Sequence, residues 1–330
     1  MRAMVMAAGL GTRLRPLTWD VPKPVVPVCN RPIAAHLVQL LAGHGVDEVI
    51  ANLHWFPETV KACIGDGSEY GVEVSYRHEE ELLGTAGGVR GVSEFLKGGD
   101  HDAFVVLAGD ALTDVNLSEL LAAHRAHGSV ATLGVKRVED VSQYGVVVTD
   151  GDGRVQGFQE KPDPAEALSD LVNCMIYVFS PEIFDYFPAG DPVDFAMDVF
   201  PALLEHGVPF HVHAIDRYWN DIGTLPEYLT GNLDALSGAV AVDPVGELIT
   251  GEAELDGGAR VEGPVLIGRD VEIGPEAHLV GPLVIGAGSR IGAGARVHEA
   301  VLLPGAEVVE RGILARGIAA GAERLASADW

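Results

Sequence analysis

Residues 6–28 read MAAGLGTRLRPLTWDVPKPVVPV. A short apolar run ends at two glycines, and arginine, lysine and proline crowd in directly after it. An apolar strand opening into a glycine-rich loop is how an α/β domain presents backbone N–H groups to an anion, because those groups converge on a ligand only where no Cβ intrudes. Two familiar versions do not fit. G-x-G-x-x-G requires glycine where Leu14 stands, and the P-loop requires a Gly-Lys-Ser/Thr that is absent. The stretch instead hangs Arg13, Arg15 and Lys23 from a loop stiffened by Pro16, Pro22 and Pro24. Fixed φ at the prolines leaves the cations partly pre-positioned, which suits a polyphosphate.

The rest of the chain makes this cluster conspicuous. Only 22 Lys and Arg face 48 Asp and Glu over 330 residues, a net charge of −26. That balance argues against a nucleic-acid partner, which needs a basic surface, and against an anionic membrane. No apolar run reaches the roughly 18 residues of a membrane-crossing helix. The opening MRAMVMAAGLG is read as a buried strand rather than a leader, since Arg13 and Arg15 follow it directly. Cys29, Cys63 and Cys174 lie far apart without a C-x-x-C, which predicts reduced thiols in a cytoplasmic protein.

Outward from the loop, strand and helix alternate. DEVIANL (47–53), VEVSYR (72–77) and AFVVLAGD (103–110) read as strands. Helices are predicted over 32–44, after Gly87, and over LSELLAAHRAHG (117–128), which Gly128 closes. Such alternation implies a mostly parallel sheet covered on both faces. VATLGVKR, YGVVVTD, RVQGFQEK and VNCMIYVF continue as strands, followed by helical patterns near 194–206 and 225–236.

The texture changes after a linker at 237–248. An aliphatic residue recurs at every sixth position, from Ile249 through Leu255, Val261, Ile267, Ile273, Leu279, Ile285, Ile291, Val297 and Leu303 to Val309. The register is expected never to slip. Glycine follows the aliphatic at 268, 274, 286 and 292. This is the hexapeptide repeat of a parallel β-helix, with between three and four coils and glycines at tight corners. The expected domains are therefore 1–236, a linker at 237–248, and a β-helix with a C-terminal tail over 249–330.

Seven motifs stand in order: GLGTRLRPLT…PK (9–23), LGTAGG (83–88), LAGD (107–110), YGVV (144–147), QEKP (159–162), NCMIYVF (173–179) and WNDIG (219–223). The set resembles the sugar-1-phosphate nucleotidylyltransferases over nearly the whole chain. In motif order it looks closest to their mannose-1-phosphate guanylyltransferase branch, which implies GTP and mannose 1-phosphate as substrates; the glucose-1-phosphate thymidylyl-, uridylyl- and adenylyltransferases share most of these motifs and stand as the alternative. The resemblance implies a Rossmann-like α/β nucleotidyltransferase domain joined to a left-handed β-helix. It also implies transfer of a nucleotidyl group from an NTP to a sugar 1-phosphate, a Mg²⁺ cofactor, and homo-oligomers assembled through the β-helix. Residue by residue, Arg13 and Lys23 match the family's triphosphate-gripping catalytic cations. Ala8, Gly9, Gly11, Thr12, Gly84 and Thr85 fall at nucleotide-binding positions. Tyr144, Gly145, Glu160, Lys161 and Asn173 fall at sugar-phosphate positions, and Asp110 and Asp221 at the metal carboxylates.

Two departures or ambiguities stand beside this. The family usually reads N-A-G where this chain has Asn173-Cys174-Met175, which is expected to narrow the sugar pocket. The run Glu79-Glu80-Glu81 offers either an acceptor to guanine's ring N–H and amino group or a solvated acidic face. Competing functions are a regulatory subunit that senses nucleotide-sugar, an acyltransferase using the β-helix histidines His278 and His298, and a glycosyltransferase. The first is disfavoured by the intact cations and carboxylates. The second is disfavoured by histidines that read as solvated. The third is disfavoured by the lack of a D-x-D at Asp110.

Overall fold

A computed structural model of the chain describes residues 1–99, 101–190 and 192–326. The last four residues of the expected C-terminal tail lie outside the described residues. By packing, the chain divides into two compact units, Met1–Leu10 with Leu37–Trp219, and Gly11–His36 with Asn220 onward. The boundary expected at 236/237 follows the change in sequence texture, whereas packing groups loop 11–36 with the C-terminal segment.

In the first unit, β1 (Arg2–Met6), β2 (Glu48–Leu53), β3 (Glu73–His78) and β4 (Phe104–Ala108) pair in parallel in the order β3-β2-β1-β4. β4 is buried along its whole length, as a strand covered on both faces must be. The strand order reverses between β1 and β4, and an open α/β sheet forms its crevice at such a switch point, beyond the carboxyl ends of the strands. β5 (Ala131–Arg137), β6 (Gly145–Thr149), β7 (Val155–Glu160), β8 (Leu171–Phe179) and β9 (His211–Ala214) complete the sheet. β8 runs antiparallel to β4, β5 and β6, and β6 and β7 form an antiparallel pair, while β9 is parallel to β5. The sheet is thus mixed: parallel where strands alternate with helices, antiparallel where strands follow one another without a crossover. Tyr177, Phe179, Phe195 and Phe200 pack against one another beneath it, with ring centroids 5.2–5.6 Å apart.

The second unit holds the loop 11–36, the helix Leu225–Leu236 and the β-helix. Cys29 N–H donates to Asn232 Oδ1 (2.9 Å), and the Tyr228 hydroxyl donates to Pro27 O (2.7 Å). Asn30 Nδ2 reaches Ile285 O in the β-helix (3.0 Å). All three cysteines are free thiols, and burial pushes Cys29 up to about 12. No helix among the described residues is long and apolar enough to cross a membrane.

The hexapeptide segment forms three parallel sheets, the walls of a left-handed β-helix. One contains Ala259–Glu262, His278–Val280, Arg296–His298 and Ile313–Ala315. The second contains Val265–Ile267, Leu283–Ile285, Val301–Leu302 and Ile318–Ala320, and the third Glu272–Ile273, Arg290–Ile291 and Glu307–Val308. Four, four and three parallel strands make between three and four coils, as expected. Antiparallel strands close both ends: Glu247–Ile249 and Glu252–Leu255 at the start, Glu323–Ala326 at the finish. The aliphatics Ile249 and Leu255 therefore belong to a cap that covers the open edge.

The expectation of an unbroken register is corrected. Early coils take 18 residues, with Arg260 opposite His278 and Val265 opposite Leu283. Later ones take 17, with Val284 opposite Val301, Arg290 opposite Glu307 and Arg296 opposite Ile313. One position is missing between Val297 and Leu302, so Leu302, Val308 and Leu314 fill the interior while Val309 is 62% exposed. The slip is masked in the sequence because the doublets at 302–303 and 308–309 offer an aliphatic in either register.

The repeat glycines have a different reason from tight turning. None of Gly268, Gly274, Gly286 and Gly292 has positive φ. A Cβ on each would lie 2.4–2.6 Å from a backbone nitrogen of the next coil. They let successive coils stack in contact, and backbone cannot step aside. Gly286→Ala is expected to cost about 1–3 kcal/mol by overpacking, read as a lowered urea midpoint of the full chain.

Candidate functional site

In the first unit, a cavity of about 280 Å³ lies at the carboxyl ends of β1 and β4. Met6 at the end of β1 and Ala8 and Gly9 after it line the cavity, with Ala108 at the end of β4 and Asp110 after it, Asn52 from β2, Met175 from β8, Glu79, Leu82 and Gly84 from the loop after β3, and Thr85 from the start of the helix that follows. Five of the expected residues, Ala8, Gly9, Gly84, Thr85 and Asp110, thus meet around one space. Gly109 is what allows Asp110 to leave β4 there. Its N–H donates to Met6 O at 2.9 Å, and a Cβ would stand 2.6 Å from that oxygen.

Glu79 and Asn52 form the cavity's buried polar wall. Asn52 Oδ1 accepts from Ala7 N (2.8 Å), and its Nδ2 donates to Glu79 Oε1 (2.8 Å). Glu79 Oε2 accepts from Leu83 N (3.3 Å). A Cβ at Gly88 would lie 2.7 Å from Asn52 Nδ2, so the second glycine of the GG pair makes room for this contact. Glu79 is buried and lines the cavity, whereas Glu80 and Glu81 are exposed. The sequence reading missed Asn52. Its signal was a lone amide near the end of the apolar run DEVIANL.

Gly84 has φ +80, and a Cβ would stand 2.4 Å from Val193 O. That carbonyl accepts from Ala86 N and Gly87 N, both at 3.0 Å, and so caps the helix Thr85–Gly91. The Thr85 hydroxyl donates to Asp194 Oδ2 (2.7 Å) and accepts from Phe195 N (3.0 Å). It is engaged in both directions.

A second cavity in this unit, of about 300 Å³, brings together Gly145, Glu160 and Asn173 with Phe158, Gln159, Ala196, Met197, Pro201 and Leu204. Asn173 Nδ2 donates to the Tyr177 hydroxyl (2.8 Å), and its Oδ1 accepts from Met175 N (3.0 Å). Burial pushes the Tyr177 hydroxyl far above its ordinary range, so it stays protonated. Tyr144 and Lys161 do not line this cavity. The Tyr144 ring packs on Trp219 with centroids 5.5 Å apart, and its carbonyl accepts from Lys161 N (3.1 Å). Lys161 Nζ lies 3.4 Å from Glu160 Oε1 on the surface.

The expected effect of Cys174 and Met175 is also redirected. Cys174 is buried, its thiol 3.8 Å from Val172 O. Met175 sits at a bulge with φ +54 and lines the first cavity. Neither lines the space around Glu160 and Asn173.

In the second unit, the cationic loop gathers on Asp221. Gly11 takes φ +60, and a Cβ there would stand 2.9 Å from Lys23 Cβ. The Thr18 hydroxyl donates to Gly11 O (2.7 Å), and short 3₁₀ turns at Thr12–Leu14 and Lys23–Val25 fix the rest. Lys23 is buried, and its Nζ donates to Asp221 O (3.0 Å). Arg13 is half exposed, with Nη2 3.7 Å from Asp221 Oδ2. A Cβ at Gly223 would fall within 3.1 Å of Arg13 Nη1, Asp221 Oδ2 and Glu227 Oε2, so the glycine of WNDIG keeps this charged cluster open.

No group of three or more metal-ligating side chains occurs among the described residues. A Mg²⁺ ion needs only one or two carboxylates when phosphate oxygens supply other positions. Asp110, on the cavity wall of the first unit, and Asp221, in the second, each carry a hard carboxylate oxygen of the kind Mg²⁺ takes.

Residues 2–238 match the nucleotidyl transferase family, and residues 264–299 the bacterial transferase hexapeptide repeat. A UTP–glucose-1-phosphate uridylyltransferase of Synechocystis sp. is 43% identical over 69% of this chain, and the chain spans 61% of its length. A mannose-1-phosphate guanylyltransferase of Mycobacterium tuberculosis is 36% identical over 83% of this chain and 76% of its own. The solved structure of HddC from Yersinia pseudotuberculosis shares the fold at TM-score 0.60 and 24% identity, over 70% of this chain and 97% of that one. With its loop, its cavity at the strand ends and its repeat segment, the chain belongs to the sugar-1-phosphate nucleotidylyltransferase family.

Proposed function

We propose that this protein transfers a nucleotidyl group from an NTP to a sugar 1-phosphate, giving a nucleoside-diphosphate sugar and pyrophosphate. The observation that carries the reading is the cavity at the β1/β4 switch point, where Ala8, Gly9, Gly84, Thr85 and Asp110 meet. In this reading the cavity takes the nucleotide. The second takes the sugar, its hydroxyls on Glu160 and Asn173, with Tyr144, Gly145 and Lys161 supplying nearby backbone and charge. Gly11 and Thr12 offer backbone groups to the phosphates. Arg13 provides a two-pronged cation and Lys23 a point charge. Two anions must approach for the sugar phosphate oxygen to attack the α-phosphorus, so placed cations and orientation do most of the work. Mg²⁺, held by Asp110 and Asp221, would neutralise phosphate charge.

For substrates we infer GTP and mannose 1-phosphate. Buried Glu79 supplies an acceptor that suits guanine, which offers a ring N–H and an amino group. The guanylyltransferase relative also aligns over more of the chain. The higher identity to a uridylyltransferase favours UTP with glucose 1-phosphate as the second reading. Measuring kcat/KM for GTP, UTP, dTTP and ATP against mannose and glucose 1-phosphates decides between them. GTP with mannose 1-phosphate is expected to lead. A lead of about tenfold for UTP or dTTP with glucose 1-phosphate, worth about 1.4 kcal/mol, overturns the guanylyl assignment, and no pyrophosphate release with any pair overturns the reaction.

Lys23→Ala is expected to lower kcat by about 10²-fold and to raise KM for NTP less, because its charge matters most while the phosphoryl group is in transit. Asp110→Asn and Asp221→Asn are each expected to collapse turnover with the circular dichroism spectrum retained.

The proposal includes a cytoplasmic homo-oligomer joined through the β-helix, where Val309 and Ile313 are 62% and 54% exposed. Val309→Asp with Ile313→Asp is expected to lower the mass measured by light scattering. An unchanged mass removes this face from the assembly.

A further inference from the structure

The two cavities of the first unit share a brace between Thr85 of the LGTAGG motif and Asp194, which lies in no motif. Asp194 Oδ1 accepts from Ala196 N (2.8 Å) and Met197 N (3.1 Å), the second and third amides of the π-helical turn Phe195–Val199. Its Oδ2 takes the Thr85 hydroxyl, and Phe195 N donates back to that hydroxyl oxygen. One carboxylate and one hydroxyl therefore satisfy three N–H groups of the turn and each other. Thr85 lines the first cavity, and Ala196 and Met197 line the second.

We propose that Asp194 and the Thr85 hydroxyl are a positioning pair that sets the apolar wall of the second cavity. Thr85 then acts on the sugar 1-phosphate more than on the nucleotide it stands beside. The proposal rests on reading the second cavity as the sugar end. Its two walls differ in chemistry: Glu160 and Asn173 offer polar atoms, while Ala196, Met197 and Leu204 offer hydrocarbon. A pyranose has the same two sides, a hydroxyl edge and a C–H face.

The walls also differ in what holds them. Asn173 is anchored by the hydroxyl of buried Tyr177, whose ring packs on Phe195 and Phe200. Met197 is 65% exposed, and the hydrogen bond from its amide to Asp194 fixes where its turn begins. A π-helical turn is wider and less stable than an α-helical one and persists where side chains over-determine it. Removing the Thr85 hydroxyl would leave Asp194 Oδ2 and Phe195 N short of a partner inside the protein, which loosens the turn.

The test uses the full-length enzyme with whichever substrate pair it turns over best. Asp194→Ala and Thr85→Val are expected to raise KM for the sugar 1-phosphate about fivefold or more while raising KM for the NTP by much less, and Thr85→Ser, which keeps the hydroxyl, is expected to restore both. An equal or larger rise in KM for the NTP, or no change in either, overturns the proposal. A readout without turnover separates this from the reaction itself. The chain has five methionines, so methyl-labelled methionine gives few lines, and Met197→Leu assigns one. Thr85→Val should shift or broaden the Met197 line and leave that of buried Met4 in place. An unmoved Met197 line overturns the brace. A moved line in a protein inert toward every substrate pair overturns only the functional reading.

Discussion

The carbonyl of Val193 is the point on which the first unit's two cavities depend. It accepts from the first free amides of the helix Thr85–Gly91. It approaches so closely that only glycine fits at position 84. An orphaned helix terminus is thus satisfied by another segment's backbone rather than by a side-chain cap. Because Val193 is followed by Asp194, the same approach delivers a carboxylate to Thr85 and starts the turn that walls the second cavity. Motif LGTAGG and segment 193–197 are one construction, although 104 residues lie between Gly88 and Val193 in the chain.

Electrostatics sets the other constraint. A chain of net charge −26 repels polyphosphates at long range, so attraction must be local. The second unit achieves this by folding Lys23 inward and letting its ammonium bond to the Asp221 carbonyl, with Arg13 near the same residue's carboxylate. Lys23 is held by a backbone carbonyl, which limits its motion without an opposing full charge, whereas Arg13 faces the carboxylate itself. Glycines at 11 and 223 keep the surrounding space clear, the first beside Lys23 and the second among charged groups.

Much of this was legible in the sequence, and the failures have physical causes. Strands such as AFVVLAGD declared themselves because burial on both faces demands continuous apolar residues. The residues of the first cavity that lie at strand ends and glycine turns, such as Gly9, Gly84 and Asp110, stood out in the motifs, because those backbone turns carry a local pattern. Asp194 and Met197 stayed hidden, since their role arises from tertiary contact with Thr85 and leaves no local pattern. Asn52 was hidden by its apolar neighbours. The 17-residue coil was hidden by degeneracy, because a doublet of aliphatics satisfies a six-residue period in two registers at once. Cys174 and Met175 were misread because adjacent residues at a bulge face different spaces.

The hydrogen bond from Asn30 to Ile285 gives the repeat segment a part in the history of the chain as well as its packing. The cationic loop near the start of the polypeptide and the coils near its end belong to one compact unit, joined across more than 250 positions. Exchange of C-terminal repeats between relatives, by recombination or by a designer's splice at 236, therefore does not move an independent module. It replaces part of the bed on which the loop rests. A chimera keeps that bed only if its new repeats bring a backbone carbonyl to Asn30 where Ile285 O stands.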